Sequence, residues 1–272
     1  MTDDLWQVQR LDLDGYLARI GVEAKPPSRA ALDELHEAHL RTFTFDNIDV
    51  LLEQHPGVLL DAVAEKFVGR GRGGYCFEHG TLLAAALERL GYDVSRQLGR
   101  VGAPTASART HCVVFVTIDG RRVMCDPGFG LSIVRPIELV DGAEVTQRGH
   151  RFRMSETPLG WQLSRWHQGA WETMHTTDEA AVVPDDLVMG HHFTSTLPTS
   201  HFRAGLRLTK LEADRHVSLS SDAVTIRREG EPTEHRELAG GEVADWLHEL
   251  GVPLTDDEEQ RLLKRLAELA AG

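Results

Sequence analysis

Hydrophobic residues in the first ninety positions recur at the spacing of helices that bury one face. The pattern predicts four helices, over residues 11–20, 30–40, 59–68 and 77–90. Ser28 is placed to cap the second of them. Residues 42–52 break the helical period, and we predict an extended segment there. The sequence therefore predicts a helical N-terminal part, residues 1–90.

After Gly91 the pattern changes to alternation of apolar and polar residues, which is typical of strands. The predicted strands are residues 94–101, 111–118, 121–126, 133–140, 150–154, 160–166 and 171–175. Turn residues separate them, so we predict a small antiparallel barrel or sandwich over residues 91–205. The remaining residues, 206–272, predict an α/β unit with strands at 206–211, 216–219 and 223–228 and helices at 242–250 and 256–270.

One predicted hairpin places two polar residues side by side. Asp119-Gly120 joins two alternating runs, and this dipeptide is a strong hairpin signal. A two-residue loop pairs Ile118 with Arg121 and puts His111 and Asp126 on one face, about 7–8 Å apart as diagonal neighbours. From the hairpin alone, a structural histidine and a histidine oriented by a carboxylate are both open interpretations.

A glycine-rich loop, residues 69–74, delivers Cys76 to the first turn of a predicted helix. Unpaired N–H groups at a helix start favour negative charge, and the thiolate is the nucleophilic form of cysteine. The alternative is a small buried apolar residue. With His111 as a base and Asp126 to orient it, the chain has the groups of a Cys-His-Asp triad, which geometry defines rather than sequence order.

The same residues are open to two other interpretations. Residues 69–74 contain a G-x-G-x-x-G pattern, but a predicted helix precedes it where a dinucleotide site needs a strand, so we interpret the glycines as close packing. Cys76 with His79, or His111 with Cys112, suggests a metal site. Since His111 and Cys112 face opposite sides of a strand and no C-x-x-C occurs, we predict no metal.

Composition narrows the class of protein. The chain has 272 residues, enough for one large or two to three small domains. The net charge is −13 and no basic block occurs, so we predict no nucleic-acid partner. Three cysteines do not make a disulfide framework, the start has no signal-peptide pattern, and no apolar run reaches membrane-spanning length. We predict a cytoplasmic protein without a membrane partner.

Five segments resemble motifs of the arylamine N-acetyltransferases. Residues 72–78, Arg-Gly-Gly-Tyr-Cys-Phe-Glu, resemble the R-G-G-x-C-F-E signature of that family. Thr110-His111 and residues 126–130, Asp-Pro-Gly-Phe-Gly, resemble its T-H and D-V-G-F-G signature. Residues 45–48 and 195–202 are similar to its P-F-E-N-L and S-T-x-P-x-S-x-F segments. The similarity runs to about residue 202.

Three positions depart from the family pattern. Thr44 stands for the usual proline, Asp46 for glutamate and Pro127 for valine. None of them replaces the cysteine, the histidine or the aspartate, so the expected chemistry is unaffected. The departures leave the acyl and amine preference open.

The resemblance implies an α+β fold of three parts: an N-terminal helical bundle (1–90), a central antiparallel β-barrel (91–205) and a C-terminal α/β lid (206–272), with a cysteine-protease-like Cys-His-Asp arrangement. It implies Cys76, His111 and Asp126 as the catalytic set. It also implies acetyl-CoA as co-substrate with no permanently bound cofactor, and aromatic amines, hydrazines or hydroxylamines as acceptors.

The resemblance also implies roles for residues outside the catalytic set. Phe45, Phe129 and Phe202 are implied as walls of the acceptor pocket, and Thr110, Gly128 and Gly130 as groups near the pantetheine and pyrophosphate of CoA. The expected mechanism is ping-pong through an acetyl-cysteine. The same triad also suits an amide synthase of the family that takes a carrier-bound or longer acyl thioester, a cysteine hydrolase, or, if unreactive, a binding module. The oligomeric state is left open.

Overall fold

A computed structural model describes residues 4–131, 133–239 and 241–271. Residues 1–3, which begin the stretch where no signal peptide is predicted, lie outside these ranges. The helices are α1 (Leu13–Ile20), α2 (Arg29–Thr42), α3 (Ile48–Leu51), α4 (Leu60–Ala64), α5 (Cys76–Arg89), α6 (Pro184–Thr196), α7 (Glu242–Glu249) and α8 (Asp256–Ala271). Within the described ranges, none of these helices combines the length and apolar character needed to cross a membrane.

The N-terminal helices pack around α5, which is buried from Cys76 through Leu87. Ser28 caps α2 as predicted, its hydroxyl accepting a hydrogen bond from the Ala31 N–H at 3.2 Å. The predicted helix at 59–68 is α4 followed by a π-helical turn, Glu65–Gly69. Because α5 is surrounded on all sides, its first residue is held in a fixed place in the core.

Eight antiparallel strands form one sheet in the order β5-β4-β3-β2-β9-β8-β7-β6. They are β2 (Asp93–Val101), β3 (Arg109–Ile118), β4 (Arg121–Cys125), β5 (Ile137–Glu138), β6 (Glu144–Gln147), β7 (His150–Thr157), β8 (Gly160–His167) and β9 (Ala170–Thr177). Inward residues such as Met124, Phe152 and Leu163 share one core. β5 and β6 are the two edge strands of this sheet. Gln147 of β6 bridges the gap between these edges by accepting a hydrogen bond from the Val134 N–H, shortly before β5, at 2.7 Å. The predicted antiparallel barrel is confirmed, and it is nearly closed.

The hairpin has the predicted register. Ile118 pairs with Arg121, and both loop residues, Asp119 and Gly120, have positive φ (51° and 71°), as a type I′ turn requires. On β3 the two faces differ as alternation demands: Val113 packs inside the barrel, whereas Val114 packs against the helices.

A second sheet has the order β1-β10-β11-β12-β13. Its strands are β1 (Phe45–Asp46), β10 (Arg207–Leu211), β11 (His216–Ser220), β12 (Ala223–Arg227) and β13 (Glu234–Glu237). Val217 and Leu219 share a core with Trp246 of α7 and Leu262 of α8, which makes an α/β layer. Because β1 pairs with β10 and Phe45 of β1 also bridges to Gly74, the glycine-rich loop is tied to this C-terminal sheet.

Some predicted elements were wrong. The extended segment at 42–52 is reduced to β1, because residues 48–51 form α3. The strand predicted at 133–140 is reduced to β5, and the short polar strands β6 and β13 were not predicted. Within residues 91–205, where only strands were expected, the structure has α6. That helix has apolar residues on its exposed sides as well as its buried side, so no single apolar stripe marks it.

Candidate active site

The glycines before Cys76 allow the chain to pack closely. A Cβ atom at Gly73 would lie 1.9 Å from the Thr44 carbonyl oxygen, and one at Gly74 would lie 2.1 Å from Glu78 Oε2. The segment before them is a π-helical turn and not a strand, so the dinucleotide interpretation fails as expected. The backbone can therefore turn sharply and start α5 at Cys76.

A buried set of charged groups fixes this turn. Lys66 Nζ lies 2.7 Å from Glu78 Oε1 and 2.8 Å from Asp49 Oδ2, and the Arg72 guanidinium lies 3.0 Å from Asp49 Oδ1. Burial raises the pKa of Glu78, but Lys66 and His55 outweigh it and hold that pKa below its usual range. Buried charges are costly unless they are paired. This network was not predicted, because its members are far apart in sequence.

Glu78 also acts on the start of α5 directly. Its Oε2 accepts a hydrogen bond from the Tyr75 N–H at 3.0 Å. This backbone N–H lies before the first helical turn, where no carbonyl of the helix can accept its hydrogen bond. The same carboxylate therefore joins the buried charges to the residue immediately before Cys76. The position of the sulfur depends on this cap.

The structure brings Cys76, His111 and Asp126 together. His111 Nε2 lies 3.0 Å from Asp126 Oδ1, and both side chains are buried. The Cys76 thiol donates to the Thr110 carbonyl oxygen at 3.5 Å, next to His111 in the chain, and the Cys76 side chain is close enough to raise the pKa of the His111 ring. The three side chains come from α5, from β3 and from the residue after β4.

The charges of this group are complementary. Burial lowers the pKa of His111, but the Asp126 carboxylate, and to a lesser degree the Cys76 sulfur, raise it to about 10. Burial raises the pKa of Asp126, and the two histidines that contact it, His111 and His175, bring it below its usual range. At neutral pH an imidazolium therefore faces an ionised carboxylate on one side and the sulfur on the other.

Sequence reasoning missed His175. This histidine, in β9, has Nε2 at 3.0 Å from Asp126 Oδ2 and is fully buried. The strand was predicted, but only closure of the barrel brings β9 to Asp126. Metal-ligating atoms of His111, Asp126 and His175 lie within 4.8 Å of one another. Because each histidine is hydrogen-bonded to one oxygen of Asp126, we propose no metal site.

Three half-buried phenylalanines lie beside the group. Phe45 and Phe202 have ring centroids 6.2 Å apart and pack against the core cluster that contains Cys76. The Phe129 ring meets the His111 ring edge-on, with centroids 5.1 Å apart. Of the residues predicted as pocket walls, Phe129 therefore flanks the imidazole, and Phe45 and Phe202 lie against the cluster that contains Cys76; their aromatic faces suit a flat apolar group.

The predicted CoA residues lie close to the same place. A Cβ atom at Gly128 would lie 2.5 Å from the Cys76 Cα, so only glycine lets this backbone pack on the start of α5. Gly130 has φ of 84°, and its carbonyl accepts a hydrogen bond from Thr209 Oγ1 at 3.0 Å. Thr110 is half-buried and presents its carbonyl to the sulfur. Their contact with CoA stays a prediction.

Comparison with known proteins gives the class first. Residues 29–257 match the family model described as N-acetyltransferase. The arylamine N-acetyltransferase of Mycolicibacterium smegmatis is 34% identical over 272 residues, which span 95% of this chain and 98% of that protein.

Solved structures agree. The arylamine N-acetyltransferase from Mycobacterium abscessus superposes with a TM-score of 0.89 at 32% identity, covering 98% of this chain and 99% of that one. The Mycobacterium marinum arylamine N-acetyltransferase in complex with CoA has a TM-score of 0.88 at 32% identity, with 95% and 99% covered. The chain therefore belongs to the arylamine N-acetyltransferase family, as its motifs predict, and is an acyltransferase.

Proposed function

We propose that this enzyme transfers an acetyl group from acetyl-CoA to the nitrogen of an arylamine, arylhydrazine or arylhydroxylamine through an acetyl-Cys76 intermediate. The observation that carries the proposal is the buried group in which the Cys76 thiol contacts the carbonyl of the residue before His111, and His111 bonds to Asp126. The CoA complex of the M. marinum relative supports the donor, and the names of the relatives support the acceptor.

In the first half-reaction His111 holds the proton that leaves Cys76. The thiolate attacks the carbonyl carbon of the thioester, and a new carbon–sulfur bond forms. The bond to the CoA sulfur then breaks, and CoA leaves as a thiol that takes the proton from His111. Asp126 keeps the imidazolium oriented and balances its charge throughout.

The tetrahedral intermediate carries a negative oxygen that needs donors. The N–H groups of Glu78 and His79 donate to the Tyr75 carbonyl, as usual in a first helical turn. The Phe77 N–H donates to no backbone carbonyl among the described residues. We assign this N–H, next to the nucleophile at the positive end of α5, to the oxyanion.

In the second half-reaction the amine attacks the acetyl-cysteine. An arylamine is neutral at pH 7 and so arrives as a nucleophile, and His111 takes the proton that the nitrogen loses. The C–S bond to Cys76 breaks, and the enzyme returns to its starting state. Phe45, Phe129 and Phe202 hold the aromatic ring in this proposal, while Thr110, Gly128 and Gly130 face the pantetheine and pyrophosphate of CoA.

The test is a mass measurement. Incubation with acetyl-CoA and no amine should add about 42 Da, one acetyl group in place of a hydrogen, to the peptide that contains Cys76. Aniline should remove the label and yield acetanilide. Cys76→Ala should fold and show neither the label nor turnover, whereas Cys112→Ala, a matched change of a buried cysteine, should keep both.

The same experiment separates the alternatives. Acetyl transfer that survives in Cys76→Ala ends the covalent mechanism. Loss of the label at a rate independent of amine indicates a hydrolase. Labelling by a carrier-bound or longer acyl thioester, but not by acetyl-CoA, indicates an amide synthase. Three free, buried cysteines are consistent with the predicted cytoplasmic location, which cell fractionation would test.

A further inference from the structure

We propose that His175 is a positioning residue of this site: it holds the Asp126 carboxylate in the orientation that receives His111, and so acts on Cys76 through two intermediate side chains. The inference rests on the proposed function, since it concerns how the cysteine is made reactive. It assigns a role to a residue outside the three that the motifs mark.

The contacts of Asp126 are divided between two rings. Oδ1 lies 3.0 Å from His111 Nε2, and Oδ2 lies 3.0 Å from His175 Nε2. The terminal torsion of an aspartate is soft, so one hydrogen bond leaves the carboxylate free to rotate. Two donors on opposite oxygens remove that freedom. All three side chains are buried, so water does not substitute for a missing donor.

The protonation state of His175 suits this task. An ionised carboxylate only accepts hydrogen bonds, so His175 Nε2 must carry the proton. Burial lowers the pKa of His175, and the ring therefore stays neutral. Its Nδ1 has no hydrogen-bond partner among the described residues. A neutral donor satisfies Oδ2 without adding a second positive charge that would compete with the His111 imidazolium.

The barrel has a local feature that permits the contact. β2 lies between β3 and β9, and Gly99 in β2 pairs with His111 on one side and with Thr177 on the other. A Cβ atom at Gly99 would lie 3.5 Å from His175 Nδ1, so a larger side chain would enter the space beside that ring. Without one, the two histidine rings approach to 4.7 Å between centroids, and Phe129 packs against both.

Other titratable groups near Asp126 do not replace this role. His36 of α2, Cys112 of β3 and Cys125 of β4 each lie within electrostatic reach of Asp126. Burial lowers the pKa of His36 and raises the pKa of both thiols, so all three are uncharged at neutral pH. The hydrogen bonds to Asp126 come from His111 and His175.

The test measures the reactivity of Cys76 toward iodoacetamide as a function of pH, with alkylation assigned by peptide mass. His175→Leu removes the donor at similar volume, and we expect the midpoint of the alkylation profile to rise by about one pH unit, which lowers the rate about tenfold at pH values well below both midpoints. His175→Gln places an amide N–H near the position of Nε2, and its midpoint should stay close to wild type.

Two controls distinguish positioning from packing. His150→Leu and His150→Gln make the same changes elsewhere on the barrel and should leave the profile unchanged. His175→Asn carries the same amide as glutamine on a side chain one methylene shorter, so it should behave like His175→Leu. The comparison of His175→Asn with His175→Gln keeps the test valid if the leucine variant does not fold, which circular dichroism would reveal.

The proposal is overturned if His175→Asn, and His175→Leu where it folds, keep the wild-type midpoint, or if His175→Gln shifts as far as they do. The assay uses no acetyl-CoA, so its result is independent of substrate. A wild-type Cys76 that reacts only at alkaline pH, like a free thiol, would instead contradict the proposed function.

Discussion

Replacing Asp126 by asparagine removes the charge on which the site depends while keeping its shape. Both carboxylate oxygens accept a hydrogen bond from an imidazole at 3.0 Å. An amide has one acceptor oxygen and one NH2 donor, so at least one ring N–H would face another donor. We expect Asp126→Asn to lose most acetyl transfer and part of its stability.

The structure sets the size of the effect. The pKa of His111 is about 10, against 6.5 for an unperturbed ring, and Asp126 is the largest group that raises it. One pKa unit corresponds to about 1.4 kcal/mol, so about 5 kcal/mol of imidazolium stabilisation depends mainly on this carboxylate. If about 3 kcal/mol of it reaches the transition state, kcat/KM falls at least a hundredfold. Breaking a buried ion pair costs about 3–5 kcal/mol of folding free energy.

The assays are steady-state kinetics with acetyl-CoA and aniline, and urea unfolding at several pH values. Because the folded pKa of His111 lies above its unfolded value, its contribution to stability is fully present below pH 6.5 and is lost as pH rises through about 10. The variant should lack this alkaline loss.

A matched control is Asp46→Asn, since Asp46 is also buried but bonds to Thr44 and Ile48 instead of a histidine. It should lose stability with a much smaller loss of activity. Turnover of Asp126→Asn close to wild type, or equal losses of activity in the two variants, would refute the reasoning.

Two further predictions concern the turn that presents Cys76. Lys66→Met leaves two buried carboxylates, one of them Glu78, without their ammonium and should lower the free energy of unfolding by about 3–5 kcal/mol in urea. Lys25→Met, at an exposed pair, should cost less than about 1 kcal/mol, and equal costs would contradict the account. Gly73→Ala should lower the free energy of unfolding in urea by about 1–3 kcal/mol and slow Cys76 alkylation, because its Cβ would meet the Thr44 carbonyl; an unchanged free energy of unfolding would disprove the contact.

Sequence patterns of a few residues were sufficient to predict the parts of the site that lie within one helix start or one hairpin. The Asp119-Gly120 turn fixed a register that alternation then carried to His111 and Asp126, and the structure has that register. The start of α5 followed from glycines that no side chain could replace. The chemistry of a Cys-His-Asp triad and the family motifs both link these two segments.

The same sequence patterns failed to predict helices and strands whose hydrophobic periodicity is weak or absent. The helix α6 has apolar residues on exposed positions such as Met189 and Phe193, so its period is obscured. The strands β6 and β13 are short and polar, and only pairing with a neighbour makes them strands. Neither kind of element is marked by periodicity alone.

The amino-acid sequence by itself determined which chemical groups were available. It also determined which of them lie at the start of a helix or on the same face of a strand, because those relations depend on backbone periods of a few residues. Tertiary structure decided the rest: that α5 meets β3, that barrel closure adds His175 behind Asp126, and that Lys66, Glu78 and Asp49 form a buried charge network. Such contacts join residues many positions apart, and their cost and benefit depend on burial, which no short stretch of sequence encodes.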